Sequence, residues 1–190
     1  MSIDNIRFHF TDANKTLEKF LSKEKNFKNI YAAGNFMLAA LLNGNKIISC
    51  GNGGSMCDAM HLAEELNGKF RENRKPYASI AISDPSYITC VGNDFGFDKI
   101  FSRFVESHGR KDDVLVAIST SGNSKNVINA AKIAKEKGMI VIGLTGKDGG
   151  ELSSLCHVEI RAPQSKYADR AQEIHIKVIH SLIHFIELNM

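Results

Sequence analysis

A repeated unit limits what this chain can fold into: a short apolar run, a glycine- or hydroxyl-rich turn, then a segment of helical composition. Residues 46–50, 78–82, 114–118 and 139–144 are the apolar runs, and 157–161 reads as a last short strand. Gly51-Asn52-Gly53-Gly54-Ser55 follows the first run, Ser119-Thr120-Ser121-Gly122-Asn123-Ser124 the third, and Gly146-Lys147-Asp148-Gly149-Gly150 the fourth. Residues 56–66 and 125–137 then continue as helices. Strands joined through helices lie parallel, cross over right-handed and need both faces covered. The pattern therefore predicts an α/β fold in three layers, a doubly wound, mostly parallel sheet flanked by helices.

Helical periodicity frames that core at both ends. Residues 3–22 bring Ile6, Phe10, Leu17, Phe20 and Leu21 to one face, and 27–42 do the same with Ile30, Met37, Leu38 and Leu41, until Asn43-Gly44-Asn45 stops the helix. Residues 167–188 predict a long last helix with a buried stripe of Ile174, Val178, Leu182, Ile183 and Ile186. Between 82 and 114, residues 86–91 and 98–106 read as two helices, with Gly92-Asn93-Asp94-Phe95-Gly96 as the turn between them. We expect one domain over 1–190, a helical pair at 1–44 and an α/β core with its C-terminal helix at 45–190. A chain of this length buries a substantial core.

Composition narrows the functional classes. There are 24 Lys and Arg against 21 Asp and Glu, dispersed along the chain. That balance argues against a nucleic-acid surface and is compatible with an anionic metabolite. Cys50, Cys57, Cys90 and Cys156 form no C-x-x-C pair, as expected of reduced thiols. Asp4, Arg7 and Asp12 interrupt any apolar leader, and no run approaches the ~18 apolar residues of a membrane span. The expectation is a soluble protein of the cytoplasm, with neither nucleic acid nor membrane as partner.

In parallel sheets of this kind ligands bind at the carboxyl ends of the strands, where both the glycine turn and the hydroxyl loop fall. A helix N-terminus offers free N–H groups and partial positive charge, so the loop before residue 125 suits a phosphate. A simple N-cap explains one hydroxyl but not the four of Ser119, Thr120, Ser121 and Ser124. The glycine turn is close to a dinucleotide fingerprint, with Met56 in place of the third glycine and Asp84 as the acid that would meet a ribose. A nicotinamide enzyme is thus a minor alternative. Neither a Walker phosphate loop nor a G-x-S-x-G elbow occurs.

His61 and Glu65 lie four apart on a predicted helix and share a face. The spacing suits a metal pair or an acid/base pair, although an exposed pair beside Glu64 satisfies it better. On the last helix Gln172, Ile176 and His180 step by four, with Asp169 before them and His184 after. Alone, that row reads as surface or helix-contact material; two such helices together are the stronger signal.

Taken together, Ser49-Cys50-Gly51-Asn52-Gly53-Gly54-Ser55, Asp58-Ala59-Met60-His61, Ala63-Glu64-Glu65-Leu66, Val91-Gly92-Asn93-Asp94-Phe95-Gly96, residues 118–124 and Gln172-Glu173-Ile174-His175 resemble the sugar isomerase (SIS) fold and, within it, the phosphoheptose isomerases. Nearly the whole chain is covered. Ala171, where a larger aliphatic residue is expected, and Gln164-Ser165-Lys166 depart from the pattern. The resemblance implies that Ser119, Thr120, Ser121 and Ser124 hold the substrate phosphate and that Asn52, Gly53, Gly54, Ser55, Asn93 and Asp94 contact the sugar, with Glu65, Asp169 and Gln172 also on the substrate. It implies proton exchange by Glu65 and His180, and zinc held by His61, Glu65, Gln172 and His180, with no nucleotide cofactor. It further implies a phosphorylated seven-carbon sugar as substrate and a homotetramer with sites between subunits. The alternative it leaves is a non-catalytic phosphosugar-binding regulator or an adaptor of a replication initiator.

Overall fold

The computed structural model describes residues 2–190. Five parallel strands, β1 (Ile47–Gly51), β2 (Ser79–Ala81), β3 (Val114–Ser119), β4 (Ile140–Thr145) and β5 (Val158–Arg161), form one sheet in the order β2-β1-β3-β4-β5. Each strand falls within two residues of its expected run. The two central strands, β1 and β3, are buried on both faces, as a sheet sandwiched between helices requires.

Alternation along the strands divides the core in two. Ile47, Val114, Val116, Ile118, Ile142 and Leu144 face one layer, made by α1 (Ile3–Leu21), α2 (Glu24–Leu42), α3 (Gly54–Asn67) and α8 (Ala168–Asn189). Ile48, Cys50, Leu115, Ala117 and Val141 face the other, made by α4 (Pro85–Phe95), α5 (Ile100–His108), α6 (Lys125–Glu136) and the short α7 (Gly150–Ser153). All five residues of the expected α8 stripe are buried.

Two expectations need correction. The turn at 92–96 is not a turn over most of its length, because α4 runs on through Gly92, Asn93 and Asp94 to Phe95. Its start is strong: Pro85 occupies the first turn and the Asp84 carboxylate accepts the Tyr87 N–H at 2.7 Å. One interior glycine, costing ~1 kcal/mol, does not end a helix begun that way. Asp84 is thereby a helix cap rather than a ribose ligand, which removes the support for a nicotinamide site. Second, α1 forms as expected but its apolar face is only partly covered: Phe20 is buried, while Ile6 is 51% and Phe10 74% exposed. Spacing locates a face and says nothing of what packs on it.

Candidate active site

The sheet order reverses between β1 and β3, so the loops leaving their carboxyl ends open a crevice at the switch point of the topology. After β3 the chain turns at Gly122, whose φ of +68° belongs to the left-handed region, and a Cβ there would strike the Gly149 carbonyl. The loop is locked to the next turn by the Leu152 N–H to Gly122 O bond (3.0 Å) and the Glu151 N–H to Asn123 Oδ1 bond (3.1 Å). Ser124 stands at the N-cap of α6 but makes no capping bond; its Oγ accepts from Ser119 Oγ at 3.1 Å. Hydroxyls and helix N–H groups are therefore not consumed by each other, as a plain cap would have consumed them.

The glycine turn is tied to the same place. Asn52 and Asn126 exchange two amide hydrogen bonds, 2.9 and 2.8 Å long, between the end of β1 and the start of α6. Gly54 opens α3, and a Cβ on it would overlap the Gln172 amide. Ser55 is buried, and Gly53 is exposed.

Two turns further along α3 lies the titratable cluster. His61 Nε2 is 3.0 Å from His180 Nε2 on α8 and 3.6 Å from Glu65 Oε1, while His61 Nδ1 is 3.4 Å from Glu64 Oε1. Facing nitrogens at that distance share one proton or one cation, since both cannot donate. The exposed-pair reading of His61 and Glu65 is thus overturned: the Glu65 side chain is 17% exposed and the pair looks onto α8. Burial, followed by the charge of His61, lowers the His180 pKa, and Glu65 opposes the shift. Phe70 screens the far side of His180, ring centroids 5.6 Å apart.

Ligand atoms of His61, Glu64 and Glu65 lie within 4.8 Å of one another, and His180 Nε2 is 3.0 Å from His61. Imidazoles and carboxylates form a donor set that zinc accepts, so His61 and Glu65, with His180 beside them, fit such an ion. Gln172 lies on the same helix as His180. It precedes His180 by eight residues, about 12 Å of helix, and its amide rests against Gly54. Asn93 and Asp94 occupy the exposed last turn of α4 and bond to each other at 2.8 Å. Asp169, in the first turn of α8, pairs with Arg170 at 3.2 Å.

The SIS domain family profile matches residues 9–146. Phosphoheptose isomerases of Aeromonas salmonicida and Haemophilus ducreyi are 57% and 55% identical to this chain, over 97% and 100% of it and 96% and 98% of their own lengths. The chain belongs to the phosphoheptose isomerase family. The structure of the phosphoheptose isomerase from Neisseria gonorrhoeae superposes with a TM-score of 0.90 at 40% identity, covering 97% of this chain and 98% of that one.

In this phosphoheptose isomerase fold several residues matter that sequence reasoning passed over. Asp58 is buried one turn before His61 on α3, its Oδ2 has no partner among the described residues, and burial pushes its pKa up to about 6 while His61 pulls it down. The spacing Asp58, His61, Glu65 was the available signal, since it repeats one helix face. Asn126 has no such signal, because its partner is 74 residues away. His175 is fully buried on α8 and donates from Nε2 to the Thr145 carbonyl at 2.8 Å, pinning α8 to the end of β4. Beside Thr120 a small cavity of about 90 Å³ is lined by Lys147, Ser165, Lys166 and Ala171. A larger aliphatic residue at Ala171 would intrude on it.

Proposed function

We propose that this phosphoheptose isomerase converts sedoheptulose 7-phosphate to D-glycero-D-manno-heptose 7-phosphate, the first step toward ADP- or GDP-heptose for a lipopolysaccharide core or capsule. The observation that carries the reading is the meeting of Glu65 and His180 around His61, two helical turns from the phosphate-suited loops. About 10 Å of helix separates the glycine turn at Gly54 from His61, room for the sugar chain along α3. Ser119, Thr120, Ser121 and Ser124 hold the phosphate, and Asn52, Gly53, Gly54, Ser55, Asn93, Asp94, Asp169 and Gln172 are assigned to the sugar.

Ketose-to-aldose conversion removes a proton from C1, places one on O2 to give the enediol, then takes the O1 proton and returns one to C2. No atom is gained or lost. One group must work at carbon and another at oxygen. Glu65 supplies a carboxylate and His180 an imidazole, whose neutral form burial and the charge of His61 favour. His61 holds His180 in place. Zinc bound by His61, Glu65 and His180 would add Lewis-acid polarisation of the substrate oxygen. Gln172 completes the ligand set by family resemblance.

The exposed apolar residues of α1 and α2, among them Ile6, Phe8, Phe10 and Tyr31, support a homotetramer. No helix among the described residues is long and apolar enough to cross a membrane, and we place the enzyme in the cytoplasm. A purely regulatory phosphosugar binder would have no use for the Glu65–His180 pair. Incubation with sedoheptulose 7-phosphate should yield the aldose, and Glu65→Gln and His180→Gln should each lower kcat by roughly 10²- to 10⁴-fold. Full activity of both variants would sink the acid/base assignment.

A further inference from the structure

A second polar groove, of about 540 Å³, runs between the α1–α2 connection, β5 and the turn after β4. Its size suits a small metabolite. Lys23, Lys25, Lys147 and Arg161 line it, with Glu159 as its carboxylate. Glu159 is already engaged, bonding Arg161 at 2.8 and 2.7 Å and the Thr145 hydroxyl at 2.6 Å. The lysines that form ion pairs among the described residues are others, Lys46, Lys125 and Lys132. Lys23, Lys25 and Lys147 thus line one concave space with no ion pair of their own among the described residues, and with Arg161 the cations outnumber its single carboxylate, a field that draws in an anion.

The uncharged lining is equally directional. His157 Nδ1 accepts the Val141 N–H at 2.9 Å, so a neutral His157 carries its proton on Nε2 as a donor. Asn26 and Asn29 each donate one amide N–H to a backbone carbonyl, of Phe20 and Glu159, both at 2.7 Å. Their amide oxygens are left as acceptors for hydroxyl groups. Cations for a phosphate beside acceptors for hydroxyls describe a phosphorylated carbohydrate.

Lys147 links this groove to the substrate site. It also lines the small cavity beside Thr120, and its φ of +49° is a left-handed conformation uncommon outside glycine. We infer that the groove is a second phosphosugar-binding site, separate from the loop at 119–124, whose occupant competes for Lys147 with the phosphate held at Thr120. The competition, though not the binding, rests on the isomerase reading.

Sorbitol 6-phosphate, which has phosphate and hydroxyls but no carbonyl to isomerise, is the probe. Calorimetric titration of the full chain at low ionic strength should resolve two binding events per chain. Lys23→Ala/Lys25→Ala, at two exposed positions, should weaken one of them by at least about tenfold and leave kcat and KM for sedoheptulose 7-phosphate unchanged. Ser121→Ala/Ser124→Ala should remove the other event alone. A single event per chain, a second event indifferent to the lysine pair, or loss of both events in the serine variant overturns the inference. If wild type binds twice but does not turn over sedoheptulose 7-phosphate, the isomerase reading falls and the groove stands.

Discussion

His175 shows how one buried side chain makes stability depend on pH. Burial drives its pKa down to about 4, against the smaller opposing effect of its bond to the Thr145 carbonyl. In the unfolded chain an imidazole titrates near ~6.5. Between those values the unfolded chain binds a proton that the folded chain refuses. The stability contributed by neutral His175 is therefore fully present above ~6.5 and is lost as pH falls toward 4, on the order of 3 kcal/mol in all. Urea unfolding across that window should show stability falling with acid in wild type, and His175→Gln should flatten the slope by about one proton. An unchanged slope would assign the acid sensitivity elsewhere. The His61–Glu65 pair illustrates the limit of residue-level reading: four-residue spacing was legible, but whether the pair met solvent or α8 was not, and the bland choice proved wrong.

At the scale of elements, the two loops of the crevice depend on one tie. Asn126 exchanges amide bonds with Asn52 and also accepts the Val127 N–H at 2.9 Å. Asn126→Ala leaves the Asn52 amide half-buried and unpaired, a loss of about 1–3 kcal/mol that urea unfolding should register. Because the tie positions substrate-holding loops and touches no reacting group, KM for the phosphosugar should rise more than kcat falls. Unchanged stability together with unchanged KM would show that the loops hold themselves. Strand and helix positions were legible from local pattern, since four apolar runs, the short strand at 157–161 and the α8 stripe carry their own periodicity. Glycine punctuation at Gly92 predicts a turn, whereas α4, started by the Asp84 cap, runs through that single glycine to Phe95.

For the whole molecule, the uncovered face of α1 bears on assembly. Ile6 and Phe10 lie on the apolar face of α1 that Phe20, further along the helix, packs onto the core, and uncovered apolar surface of this kind favours a protein contact. Under the tetramer proposal, Ile6→Glu/Phe10→Glu should lower the mass measured by light scattering below four chains while the far-ultraviolet circular dichroism stays that of wild type. A wild type that scatters as one chain would refute the proposal.

By itself the sequence determined the order of elements, the parallel α/β class, the hydroxyl loop and the family, because all of these reside in short-range periodicity, turn chemistry and motif. Only the tertiary structure decided the strand order, the Asn52–Asn126 tie and the packing of the Gln172 amide on Gly54. It alone brought His61 to His180 across 119 residues. Those are contacts between separate elements, set by how helices pack onto a twisted sheet, and no local pattern of residues encodes which two side chains will meet there.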